Sequence, residues 1–193
     1  MCIRDRLNFY NNHPSKFDEW SLKIVTPINP AGTVEMSRYN ECGCDLNRKV
    51  KKSSQKGIVI QRKIIDTYQP DVIISLHEAP SPDFLIHSNN HLTDELLFQL
   101  LADIENKGIT LATKDYLGQK LKVPGNSKIK GYLKYLKNLV QVQTLGDYAA
   151  ERAIIEITTE SGWNSQDTFQ RVNSHVFAIS SIVKHYKKSG NEN

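Results

Sequence analysis

Asn29-Pro30-Ala31-Gly32-Thr33-Val34-Glu35-Met36-Ser37-Arg38-Tyr39-Asn40-Glu41-Cys42-Gly43-Cys44-Asp45-Leu46-Asn47-Arg48 is the stretch from which the rest of the chain can be read. Apolar Leu22, Ile24 and Val25 lead into it, so residues 20–26 read as a short strand spilling into a polar loop. Pro27 and Pro30 break the ladder, and Gly32 permits a sharp turn. The loop then delivers Arg38 and Arg48, with Asn47 and Asp45 just before the second. Arginine carries its donors in a fixed fork and never deprotonates, which suits two-pronged contact with a carboxylate. Asn47 adds a donor for the same oxygens, and Asp45 is placed to hold one of the arginines. Taken alone, Asp-x-x-Arg more often just ties down a loop.

The whole string carries more than its parts. Asn-Pro-x-Gly at 29–32, then Arg-x-Asn-x-x-Gly-x-Asp-Leu-Asn-Arg at 38–48, closely resembles the signature of zinc carboxypeptidases of the carboxypeptidase A type. Arg38, Asn40, Gly43, Asp45, Leu46, Asn47 and Arg48 each fall on a fixed position of it. The resemblance implies an α/β fold, a three-layer sandwich whose central mixed, largely parallel sheet is flanked by helices. It implies a zinc cofactor and a peptide or amino-acid-conjugate substrate with a free carboxylate. Under it Arg38 stabilises the oxyanion, while Asn47 and Arg48 grip the terminal carboxylate. After Arg48 the family often continues with Asn and an aromatic, whereas Lys49-Val50 stands here.

Residues 71–76 form a continuous apolar run after Pro70, the pattern of a central strand covered on both faces. His77 follows directly, and in open α/β sheets functional groups gather just past the carboxyl ends of strands. A lone His is more often structural. The run 69–78 resembles the family's segment, and the resemblance implies His77 as a metal ligand. Near the C-terminus Glu156 and Glu160 are four apart, on one face of a strand. The resemblance of 147–161 to the family's helix and strand implies Glu160 as the catalytic base, with Glu156 deeper in the sheet. Tyr132 and Tyr135 lie in the region of the family's substrate-side tyrosine. The family's other two zinc ligands form a His-x-x-Glu pair, and no His-x-x-Glu occurs in this sequence.

The remaining pattern fits an α/β chain of 193 residues with 39% hydrophobic and 24% charged content. Helices are expected at 57–68, from Leu92 to Ile104, at 146–152, and through the stripe Phe169, Val172, Val176, Phe177, Val183 and Tyr186. Further strands are expected at 84–86, 139–143 and 153–160. Residues 1–19 read as an irregular segment, 20–187 as part of a catalytic domain, and 188–193 as a polar tail. The opening Met-Cys-Ile-Arg-Asp-Arg looks like translated adapter sequence, so a truncated start is expected and location stays open. No run approaches the roughly 18 apolar residues of a membrane span. Three cysteines suggest no disulfide framework, and Cys42 and Cys44 read as small buried side chains. Seven lysines and Asp115 between Lys114 and Lys137 leave the rest of the chain at −2 against a total of +4. Without an arginine among them, a solvated surface is the better reading than a nucleic-acid contact.

Three functions follow. The first is a zinc metallocarboxypeptidase. The second is a zinc deacylase of the aspartoacylase and succinylglutamate desuccinylase type, which shares Asn-Pro and Asp-Leu-Asn-Arg. The third is a non-catalytic peptide-binding relative that keeps the carboxylate grip without the metal.

Overall fold

The apolar run after Pro70 forms β1 (Val72–Ala79), and the run leading to Gly162 forms β3 (Ile155–Gly162). They pair in parallel, from Val72 against Ile155 to Ala79 against Gly162. A short antiparallel strand, β2 (Leu85–Ser88), takes the other edge of β3, so the order is β1-β3-β2. The middle strand among the described residues is therefore β3, which corrects the expectation of a central β1. A continuous apolar run reports that both faces of a strand are covered; it does not count ladder neighbours. The computed structural model describes residues 11–12, 14–48, 50–80, 83–115, 118–127, 142–163 and 167–186.

Alternation along the strands sends side chains to two cores. Val72 and Ile74 of β1, Ile86 of β2, and Ile155 and Ile157 of β3 join Phe84 in one cluster. It is covered by α3 (Asp94–Glu105) through Leu97, Leu100 and Ile104, and by α5 (Thr168–His185) through Ala178 and Ile182. Ile73 points the other way, into Ile58 and Ile65 of α2 (Lys56–Tyr68) and Tyr148 and Ala149 of α4 (Leu145–Ala150). The sheet is mixed, with helices flanking it.

Apart from α2, where Gln55 makes no capping side-chain bond, each of these helix starts has a local cause. Thr93 accepts from the Leu96 N–H, and Asp167 from that of Gln170. Thr144 and Asp147 form a reciprocal capping box on α4. Thr144→Ala should cost about 1 kcal/mol, read as a lower urea midpoint with an unchanged slope; no shift would show that α4 is held by its packing alone. One short helix was not anticipated: α1 (Pro30–Val34) begins inside the arginine loop. Pro30 occupies its first turn behind the Asn29 cap, so the proline that reads as a ladder breaker is also a helix starter. Gly32 is required there, because a Cβ would lie 2.1 Å from Asn29 Nδ2 and 2.4 Å from the Ser37 carbonyl.

Residues 20–26 do not form the expected strand. Apolar alternation supplies the propensity, but no described segment runs alongside to complete a ladder. The segment instead rests on helix ends, with the Trp20 ring 5.6 Å from Tyr186 and the Lys23 ammonium 4.8 Å from the Tyr68 ring centre. Of the strand expected at 139–143, residues 139–141 lie outside the described residues. Gln143 does pair, donating to the Arg48 carbonyl at 2.7 Å and accepting from the Val50 N–H at 3.0 Å. Residues 14–17 form a single 3-10 turn within the segment read as irregular. The expectation of two buried cysteines is also corrected: Cys42 is exposed and Cys44 half-buried. They sit in a polar turn organised by Asn40 Oδ1, which accepts the N–H groups of both. Lys114, Lys120 and Lys122 are exposed. No described helix is long and apolar enough to cross a membrane.

Candidate active site

On the face that carries Ile73, the strands change character toward their carboxyl ends. Ser75 and His77 follow on β1, and Glu156, Thr158 and Glu160 stand on β3. The register pairs Ser75 with Thr158 and His77 with Glu160. On β2 Leu85 pairs with Glu160 and His87 with Thr158, which puts both on this face. His87 Nε2 lies 3.6 Å from Glu160 Oε1, and its Nδ1 is 3.2 Å from the Ser127 carbonyl oxygen. If Nδ1 donates that bond, Nε2 turns its lone pair toward Glu160. Glu156 lies deeper, 4% exposed, accepting from Thr158 Oγ1 at 2.6 Å. A Cβ on Gly146 would meet its Oε2 at 3.0 Å, so α4 begins directly against this carboxylate.

The arginine loop is tied together by Asp45. Its Oδ2 accepts from Arg38 Nε at 2.5 Å and lies 3.6 Å from Arg48 Nε, while Oδ1 accepts the Asn47 N–H at 2.9 Å. Arg48 Nη1 donates to the Asn47 carbonyl at 2.8 Å. Asn47 Oδ1 accepts the Leu145 N–H at 2.9 Å, which moors the loop to the first residue of α4. That bond leaves the Asn47 Nδ2 hydrogens as its donors toward a ligand. The loop reading is thus extended: Asp45 holds Arg38 and lies beside Arg48 as well.

Electrostatics join the loop to the strand ends. Burial pushes the Glu160 carboxyl up to about 7, against the opposing pull of Arg38 and Arg48. Burial holds the His77 imidazole below its ordinary value; Arg38, His87 and Arg48 push the same way and Asp45 opposes them. Burial likewise lowers His87, partly offset by the Ser127 carbonyl and Asp115. Burial would raise Asp45, but the bonds from Arg38 and the Asn47 N–H, with Arg48 nearby, carry it below the usual carboxylate range. A carboxyl near 7 can exchange a proton at neutral pH, and two guanidinium groups within its field can receive an anion.

The structure therefore brings His77 and Glu160 side by side and gathers Arg38, Asn47 and Arg48 on one loop that acts on both. Tyr132 and Tyr135 lie outside the described residues. Two residues escaped the sequence reading. His87 was legible only through the register that places it beside Thr158. His175 interrupts the apolar stripe between Val172 and Val176, and that break was its signal.

No protein-family model and no curated protein matches the sequence. Solved structures do. A "putative metallopeptidase" from Shewanella denitrificans superimposes with a TM-score of 0.68 at 17% identity, over 93% of this chain and 67% of that one. A second of the same description, from Shewanella amazonensis, gives 0.67 at 15% identity, over 92% and 69%. A point mutant of murine aminoacylase 3 gives 0.54 at 13% identity, over 95% of this chain and 58% of that one. At these identities the likeness speaks for the fold: an α/β chain with a mixed sheet and flanking helices, whose structural neighbours share the carboxypeptidase-like fold.

Proposed function

We propose that this chain forms part of a zinc-dependent metallocarboxypeptidase, which hydrolyses a C-terminal peptide or peptide-like amide bond. The observation that carries the reading is the Glu160 carboxyl beside His77, in the field of Arg38 and Arg48. The reading assigns residues 20–187 to a catalytic domain built as a three-layer sandwich. Among the described residues no group of three His, Cys, Asp or Glu side chains converges as a metal site. The described residues therefore do not by themselves fit a zinc ion, and His77 is the one donor this reading takes from them.

The chain's own residues divide the remaining work. Glu160, as the carboxylate, takes a proton from the attacking water and returns it to the leaving amine as the C–N bond breaks. Arg38 donates to the oxygen on which negative charge develops. Arg48 and the Asn47 amide hold the substrate's terminal carboxylate and so confine cleavage to the chain end. A second reading, hydrolysis of N-acyl amino acids, is favoured by the fold shared with an aminoacylase. It uses the same carboxylate grip.

The test is made on the natural protein that carries these 193 residues. Peptides with a free C-terminus, their amides, and N-acyl amino acids are compared, with a zinc chelator and zinc add-back. Cleavage of free-carboxylate peptides that the chelator abolishes and zinc restores is the expected result. Turnover confined to N-acyl amino acids replaces the peptidase with the deacylase. Carboxylate-dependent peptide binding without hydrolysis of either class overturns both.

A further inference from the structure

Behind the candidate site, on the opposite face of β3, lies a second polar group that the proposed chemistry does not use. His175 of α5 is wholly buried, edge-on to Phe84 at 6.2 Å between ring centres. Its Nδ1 is 2.8 Å from Thr159 Oγ1, and its Nε2 is 3.0 Å from Ser161 Oγ. Both hydroxyl-bearing residues are themselves 0% exposed. A neutral imidazole offers one donor and one acceptor, and a hydroxyl can be either, so both bonds form without burying a charge.

Thr159 and Ser161 are the two residues that flank Glu160. We propose that His175 is the positioning residue of Glu160, clamping from the far face of the sheet the two strand positions on either side of it. Side chains alternate along a strand, so pinning both neighbours on one face fixes the direction of the Cα–Cβ bond between them on the other. The clamp is placed where β3 needs it. The strand ends at Gly162, which has no side chain to pack, and beyond it, among the described residues, the ladder continues with the bond from the Trp163 N–H to the Ala79 carbonyl at 3.0 Å. An aromatic ring carrying both nitrogens is a rigid spacer between two hydroxyls on adjacent same-face positions. A Leu there would fill the space and leave the spacing free. Catalytic geometry tolerates little of this, since a displacement of about 1 Å costs roughly 100-fold in rate.

This rests on the reading of Glu160 as the base, and the test separates the two. The variants are His175→Leu; the triple Thr159→Val, Ser161→Ala, His175→Leu; and His175→Gln. His175→Leu strands two buried hydroxyls and should lower Tm. The triple removes both orphaned groups, so Tm should recover. The Glu160 carboxyl, followed by carbon-13 NMR, should then show more than one environment in the triple and a single one in wild type and in His175→Gln. In the natural protein kcat of the triple should fall by roughly 10- to 100-fold, with KM within about threefold. His175→Gln, which can still bond both hydroxyls, should keep most of the rate. Recovered Tm with an undisturbed Glu160 signal and full kcat would reduce His175 to a packing residue. If the protein hydrolyses neither substrate class, the hydrolase reading falls. The carbon-13 signal then decides the clamp by itself, and should the triple fail to fold, an altered Glu160 signal in His175→Gln overturns it.

Discussion

Glu160→Gln should stabilise the metal-free chain at pH 8 by up to about 3 kcal/mol and change nothing at pH 4. The Glu160 carboxyl lies at about 7 in the fold against an ordinary 4.5, raised chiefly by burial. Between those values the folded state holds a proton that the unfolded state has released. Its contribution is fully present below the ordinary value and is lost as pH rises through about 7, because the folded state must then carry a buried charge. The span from 4.5 to about 7, at roughly 1.4 kcal/mol per pH unit, is about 3 kcal/mol. Gln keeps the shape and never ionises. Urea unfolding at the two pH values checks this, and equal effects at both would mean that the carboxyl is not held high. In the natural protein the same change should lower kcat by about 10²- to 10⁴-fold while zinc content stays intact. Glu156→Gln should do much less, because that carboxyl is committed to Thr158. Gained stability and lost turnover from one atom replacement is the signature of a group kept strained for chemistry.

Arg48→Ala should raise KM for substrates with a free C-terminus and leave their amides as poor as before. The Arg48 side chain is 42% exposed, so solvent screening puts the effect at the lower end of the ~2–5 kcal/mol that truncating a charge-assisted contact costs, roughly 30-fold in kcat/KM. Two of the guanidinium's nitrogens are oriented by the loop, Nη1 on the Asn47 carbonyl and Nε toward Asp45, so the fork is held before a ligand arrives. Arg48→Lys should rescue little, since an ammonium is a point charge without the fork. Unchanged kinetics on free-carboxylate peptides would remove Arg48 from the grip.

Much of the architecture was legible because it follows local rules. The stripe from Leu92 to Ile104 with Thr93 ahead of it is a capped amphipathic helix, and α3 begins at Asp94. Apolar runs marked β1 and β3, though their ends fell two or three residues further on, where pairing rather than composition sets the limit. Non-local facts were not legible. That β3 separates β1 from β2 depends on which strands find one another, and residues 20–26 show propensity with no partner. Within the site, His77, Arg38, Asn47, Arg48 and Glu160 could be named from a motif, whereas the pairing of His77 with Glu160 needed the register. His87 and His175 belong to no motif. Each matters through the strand residue it faces, and facing is a property of three dimensions.

The insertion of β3 between β1 and β2 sets a timetable for the chain as it is made. Val72 has its ladder partner at Ile155, which is 83 residues later in the sequence. At about 5–20 residues per second, synthesis takes roughly 4–17 s to cover that distance. Through that interval the finished segment Val72–Ala79 has no β3 to pair with, and β2 waits likewise for β3, although its Ile86 can already bond Gly125 and Ser127. The helix α3 closes on itself meanwhile and offers Leu97, Leu100 and Ile104 as an early cover for one face. His77 meets Glu160 only once β3 has been made, so the candidate site is assembled late, with only α5 still to follow among the described elements. Slowing translation between residues 105 and 155 should therefore lower the folded yield, while the same delay placed before residue 72, when no strand is yet waiting, should be harmless.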